Sequence, residues 1–159
     1  MNREQFWQIV AHGQEDEAPG ELVRAALEKL PASEIAAYQQ HFDALTDQAY
    51  RWDLWGAAYV IEGGCSDDGF TDFRYALISR GREVYEAALQ NPDSLAAVDI
   101  CSDELFGYVA GEVYEAKTGQ AIALASNQAA EPLGEQWDFD DKKEIRRRLP
   151  QLAARLKIK

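Results

Sequence analysis

Between Ile35 and Ala49 the apolar residues Ile35, Tyr38, Phe42, Leu45 and Ala49 recur every three or four positions. At 3.6 residues per turn they share one face of a helix, whereas a strand would throw them onto both of its faces. A chain that has to bury this stripe is therefore driven to coil. The same spacing returns elsewhere: Phe6, Trp7, Ile9 and Val10; Leu22, Val23, Ala26, Leu27 and Leu30; Phe70, Phe73, Leu77 and Ile78; Leu105, Phe106, Val109, Val113 and Tyr114. No segment alternates apolar and polar residues, and no Asn-Gly or Asp-Gly turn joins two strand-like runs. The expectation is an all-α, single-domain bundle of about seven to eight helices over residues 1–159, with little or no strand.

Punctuation supports that reading. Asn2 is a good N-cap for a helix reaching about His12, with Gly13 at its end and a polar loop from Gln14 to Gly20. Pro31 stops the second helix and Ser33 is the expected cap of the third. Asp53 is expected to restart a helix through Trp55, Ala58, Tyr59 and Ile61, ended by Gly63-Gly64. Ser66, Asp67 or Asp68 caps the next, closed by Arg80-Gly81. A further helix carries Val84, Tyr85, Ala88 and Leu89 to Asn91-Pro92, and Asp93 or Ser94 opens a short turn. Ser102 or Asp103 caps a helix that Gly119 stops. Residues 120–136 lack a period and read as loop. Asp140 or Asp141 caps a final basic helix, 141–159, interrupted by Pro150. Cys65-Ser66-Asp67-Asp68 and Cys101-Ser102-Asp103-Glu104 look alike, and shared capping chemistry accounts for that better than a repeat.

At 159 residues with 47% hydrophobic content, the chain has enough material for a core without metal or disulfide. The polar start Met1-Asn2-Arg3-Glu4-Gln5 lacks a signal peptide's pattern, and no apolar run is long enough for a membrane span. The expected compartment is the cytoplasm, with Cys65 and Cys101 as free thiols rather than a bridge. Net charge is −12 and unevenly placed. Lys142 to Lys159 hold eight Lys/Arg and one Glu, a local +7; residues 1–141 hold the other eight against 27 acids, or −19. An acidic body repels phosphate backbones, so nucleic acid is an improbable partner. Contact through Lys142, Lys143, Arg146, Arg147 and Arg148 ranks below a solvated or body-facing basic helix.

The densest unusual chemistry lies between Tyr50 and Gly81. Arg51-Trp52-Asp53-Leu54-Trp55-Gly56-Ala57-Ala58-Tyr59 is followed by Gly63-Gly64-Cys65-Ser66-Asp67-Asp68-Gly69-Phe70. With the opening Glu4-Gln5-Phe6-Trp7 and the later Trp137-Asp138-Phe139-Asp140-Asp141, this block resembles the bacterial family known as domain of unknown function 4240, over nearly the whole chain. The resemblance implies a stand-alone bacterial protein and carries no established activity.

The residues themselves allow several chemistries. Cys65 ahead of a helix could have a lowered pKa, but catalysis also needs a base, and neither His12 nor His41 is linked to it by a motif. A structural thiol is the stronger reading. Asp67-Asp68-Gly69 lacks the spacing of a calcium loop; a hard-cation site from Glu62, Asp67, Asp68 and Asp72 is a minor alternative to helix capping, and no metal or cofactor is expected. Gly63-Gly64 lacks the lysine of a P-loop. Arg51, Arg74 and Arg80 either pair internally with Asp53 or Asp72, or line a pocket for a small anionic ligand walled by Trp52 or Trp55. The candidate binding residues are thus Arg51, Trp52, Asp53, Trp55, Cys65, Asp67, Asp68, Arg74 and Arg80. The expected function is non-enzymatic binding by an acidic body that antagonises a basic partner. The alternative is a sensor or enzyme with a pocket in segment 50–81.

Overall fold

The computed structural model describes residues 1–14 and 17–159. Among them the order is α1 (Arg3–Gly13), α2 (Pro19–Glu28), α3 (Ala32–Gln48), α4 (Trp52–Glu62), α5 (Asp67–Ser79), α6 (Arg82–Gln90), a 3-10 helix (Pro92–Ala97), α7 (Glu104–Thr118), α8 (Lys142–Arg148) and α9 (Pro150–Arg155). The described residues form no strand; one isolated bridge joins Arg51 to Leu133. The fold class is all-α, as the spacing predicts.

α7 is the hub. Helices α2, α3 and α5 all pack on it, and α1 packs on α2. One contiguous apolar cluster links them, with Phe6, Leu27, Ile35, Leu54, Phe70, Phe73, Leu77 and Leu95 fully buried. Phe6, Tyr38, Phe42 and Phe106 meet ring against ring along it. Each such side chain withdrawn from water contributes roughly 1.5–3 kcal/mol.

Most expected caps are present. Asn2 forms a capping box with Gln5, Ser66 accepts from Gly69 N, Asp103 from Phe106 N, and Asp141 from Lys143 N and Glu144 N. Gly63 and Gly119 end α4 and α7 at φ of 71° and 72°, a region only glycine enters cheaply. The two Cys-Ser-Asp segments diverge here: Ser66 caps one helix but Asp103, a step further on, caps the other.

Three boundaries differ from expectation, and a fourth, at Pro150, is the expected interruption. α2 starts at Pro19, inside the expected loop, because proline suits a first turn; Glu15 and Asp16 of that loop lie outside the described residues. α3 begins at Ala32 behind Pro31 rather than after Ser33. α4 begins at Trp52 behind Arg51, and Asp53 lies within its first turn. The orphan N–H of Trp52 donates to Leu133 O at 2.9 Å, a partner 81 residues away that does a cap's work. The basic C-terminal helix is two helices, broken at Leu149-Pro150. Buried Asp93 caps the second by accepting from Gln151 N (3.0 Å) and Leu152 N (2.9 Å).

Residues 120–136 are irregular, yet pinned. Asp43 on α3 accepts from Ala125 N at 2.7 Å, and Asp47 accepts from Ser126 Oγ and Asn127 N. Leu133 N donates to Tyr50 O at 2.9 Å. The bonds from Ala125, Asn127 and Leu133 supply backbone groups with the partners that irregular chain lacks.

Candidate functional site

The Tyr50–Gly81 block turns inward more than outward. Arg74, in the middle of α5, is fully buried. Its Nη1 donates to Thr46 O (2.8 Å) and Gln128 Oε1 (3.0 Å), its Nη2 to Thr71 Oγ1 (3.0 Å), and its Nε to Phe70 O (3.3 Å). The guanidinium lies over the rings of Tyr50 (4.7 Å) and Phe70 (4.9 Å). Among the described residues no carboxylate is within ion-pair distance. The C-terminus of α3 explains why none is needed. Its last carbonyls have no helical partner and carry the negative end of the helix dipole, so a buried cation there is matched by aligned carbonyls. Tyr85 completes the arrangement by donating to Leu45 O at 2.7 Å. Burial lowers the Arg74 pKa, with nearby Asp67 opposing it; an arginine stays charged regardless.

The expected pairing therefore holds for one arginine and changes for two. Arg51 pairs with Asp53, Nε to Oδ1 at 3.1 Å, and both are part-exposed. Arg74 is bound to carbonyl and side-chain oxygens instead of Asp72. Arg80 is exposed at the far end of α5, where it is the C-cap and its carbonyl accepts from Gln14 Nε2. It lines a cleft of about 350 Å³ with Ser79, Cys101, Ser102, Asp103, Glu17 and Pro19, away from the tryptophans.

Trp52 stacks on Trp55 (5.3 Å, 6°), and Trp55 stacks in turn on Phe70 (5.1 Å, 10°). Trp55 Nε1 donates to Cys65 O at 2.9 Å, fastening the start of α5 to α4. Over this row lies the segment after the long loop. Phe139 touches Trp52, Trp55 and Tyr59, while Tyr59 Oη donates to Asp140 at 2.9 Å. Trp137 sits on Gly56 beneath the Arg148 guanidinium, 5.3 Å from its ring. Its Nε1 is buried without a hydrogen-bond partner, and ring packing offsets that cost. A Cβ on Gly56 would lie 2.2 Å from Trp137 Cζ2. Gly56→Ala gains about 1 kcal/mol of helix propensity but must eject the indole at roughly 1–3 kcal/mol. The expected result is a net loss of about 1 kcal/mol and a red-shifted tryptophan emission; an unmoved spectrum contradicts the seat.

Cys65 is half-buried and its pKa is pushed up to about 11, first by burial and then by the Glu62 and Asp72 carboxylates. Burial and the acid field together leave the thiol protonated at neutral pH and not activated. Cys101, also free, is exposed. Iodoacetamide at pH 7.5 is expected to alkylate Cys101 at least about tenfold faster than Cys65, as peptide mapping would show; preferential labelling of Cys65 contradicts this environment. His41 is engaged at the amino end of the chain, Nε2 to Met1 O at 3.0 Å. Among the described residues no three His, Cys, Asp or Glu side chains converge as a metal site would.

Asp67 and Asp68 are both exposed in the first turn of α5; Asp67 acts on Tyr50 and Arg74 of the arginine network, whereas Asp68 belongs to a different feature. Asp72 lies one turn on, and its pKa is raised by partial burial and by Glu104, Asp68, Glu62 and Asp103. Glu62 accepts from Ser102 N and Oγ, both at 2.7 Å, and Asp103 N donates to Asp72 O at 3.1 Å. Helices α4, α5 and α7 thus bring carboxylates together at their ends. Beside them, Leu105 is 73% exposed, although its sequence position groups it with the buried face of α7. Phe106, Val109, Ala110 and Val113 form the actual buried stripe, which leaves Leu105 a step off it. Asp103, Glu104 and Leu105 escape sequence reading as a surface, since only the tertiary fold sets them beside Asp72.

The Asp72 shift has a definite sign. The folded chain binds a proton more tightly there than the unfolded chain does, so the group's contribution to stability falls as pH rises through its folded pKa. Asp72→Asn is expected to raise Tm at pH 7, with the gain shrinking as pH drops below the carboxylate range. A lower Tm at pH 7 contradicts the repulsion.

No curated protein and no solved structure matches the chain. The family described as a protein of unknown function, DUF4240, matches residues 1–116. The match takes in α1 to α6, the Tyr50–Gly81 block and nearly all of α7, but stops short of Trp137–Asp141, so the resemblance spans less of the chain than those residues imply. With well over half of its length matched, the chain belongs to the DUF4240 family.

Proposed function

We propose that this chain is a non-enzymatic binding protein of the bacterial cytoplasm whose acidic body engages and neutralises a cationic protein. The observation that carries this reading is the gathering of Glu62, Asp68, Asp72, Asp103 and Glu104 at the junction of three helices. Partial burial first, and then like charges held together, raise the pKa of the central carboxyl and cost the free protein stability; a bound cation relieves the repulsive part. The −19 balance of residues 1–141 extends the same field over the body, which speeds association with a positive partner. The part-exposed or buried Arg51, Trp52, Asp53, Trp55 and Arg74 serve on this view to hold the scaffold that presents the acids.

Pull-down from the native host at about 50 mM salt tests the reading, since exposed-charge attraction is strongest when screening is weak. The expected result is a captured protein of high pI that leaves in high salt. Recovery of no cationic partner, or of one indifferent to salt, contradicts it.

A further inference from the structure

Between the start of α2 and the flank of α7 runs a cleft of about 280 Å³. Its apolar wall is Leu105, Phe106, Val109 and Pro19, and Glu17, Glu21, Asp103 and Glu112 stand around it. Arg24 lines it too, but is paired with Glu112 across the helices. The 350 Å³ cleft beside Arg80 shares Glu17, Pro19 and Asp103 with it, so the two are neighbours. Leu105 stands 73% exposed at the lip, and Tyr108, 45% exposed, is one turn along with its hydroxyl donating to Glu104 at 2.6 Å.

We infer that this groove docks an amphipathic Lys/Arg-rich segment of a partner protein, its apolar side chains against Leu105, Phe106 and Val109 and its cations toward Glu17, Glu21 and Asp103. The inference rests on the binding role proposed above and moves the contact from the acidic junction to the groove that borders it at Asp103. An apolar wall alone would accept any hydrophobic segment; the carboxylates select one with positive charge at helical spacing, because a neutral or acidic segment would leave them desolvated and unpaired. A leucine this exposed next to Asp103 and Glu104 loses little as a free surface and gains on burial, the pattern of an apolar anchor inside a polar rim. A second copy of this chain is disfavoured by its own −12 charge.

The test uses the full chain and two fluorescein-labelled peptides of about fourteen residues, four helical turns. One has Lys and Leu at helical spacing; the other has Ser in place of Leu with the same charge. Anisotropy at about 50 mM salt is expected to show the Lys/Leu peptide binding at least about tenfold tighter than the Lys/Ser peptide. Leu105→Ser, and the pair Glu17→Gln with Glu21→Gln, should each weaken it about tenfold. The pair Glu83→Gln with Glu131→Gln, which removes the same charge elsewhere, should change it less than about twofold. Leu105 and both glutamate pairs are at the surface, and circular dichroism confirms that each variant is folded. Equal losses in the two glutamate pairs, or equal affinity for the two peptides, overturn the groove and leave diffuse charge attraction standing. Absence of Lys/Leu binding overturns the groove as well. A concentration-dependent dimer by sedimentation that Leu105→Ser dissolves assigns the face to a second copy and also overturns it. The broader reading falls separately, on the pull-down.

Discussion

Arg74→Ala is expected to destabilise the fold by about 3–5 kcal/mol, lowering Tm by on the order of 10 °C. The variant removes the donor that satisfies Thr46 O at the buried end of α3, the bond that ties Gln128 of the long loop to the core, and the group lying over the Tyr50 and Phe70 rings. Hydrogen bonds from a charged donor are worth about 1.5–3 kcal/mol, an orphaned buried carbonyl costs about 1–3 more, and an alanine leaves a void where the side chain lay. Arg74→Lys keeps the charge but has no planar fork to reach Thr46, Thr71 and Gln128 together, so it should fall between alanine and the native residue. Urea denaturation followed by circular dichroism reads all three. A cost below about 1 kcal/mol for the alanine variant would mean that the guanidinium is not structural.

Phe70→Ala should be of similar size, roughly 3–5 kcal/mol, as for other fully buried phenylalanines. Its ring is fully buried, under Arg74 on one side and stacked on Trp55 on another. It therefore joins the two halves of the central block, the arginine network and the tryptophan row. Because Phe70 and Arg74 touch, the double variant should cost less than the sum of the singles, by about 0.5–3 kcal/mol. Strict additivity would separate the two features. Trp52→Ala, at the part-exposed end of the row, should cost clearly less.

How far this was legible in the sequence depends on the range of the interaction. The α3 stripe, the Asn2 cap and the Gly63 and Gly119 ends are local, set within one turn, and can be read, while the Ser66, Asp103 and Asp141 caps can be read to within one or two neighbouring residues. The start of α4 cannot, because its missing cap is Leu133 O, brought in by the fold. The period-free stretch 120–136 is correctly irregular, but Asp43 and Asp47, four apart on α3, are its anchors, and nothing in the loop's own composition reveals that. For the candidate residues, pairing of Arg51 with Asp53 needs two positions of separation and is readable. The Arg74 partner is a helix terminus 28 residues away, which no charge pattern encodes. Cys65 shows the limit of local reasoning most clearly: the helix dipole is visible in sequence, whereas Glu62 and Asp72 on either side of the thiol act through space and in the opposite direction.

The central claim is that the acidic groove binds while the tryptophan–arginine block holds the scaffold. A ¹⁵N NMR titration of the full chain with the Lys/Leu peptide tests it directly, since it reports the groove amides and the Trp52, Trp55 and Trp137 indole N–H groups in one spectrum. The account predicts shifts concentrated in residues 17–24 and 101–112, with those three indoles unmoved. Shifts of the indoles with a silent groove would contradict it and return function to segment 50–81.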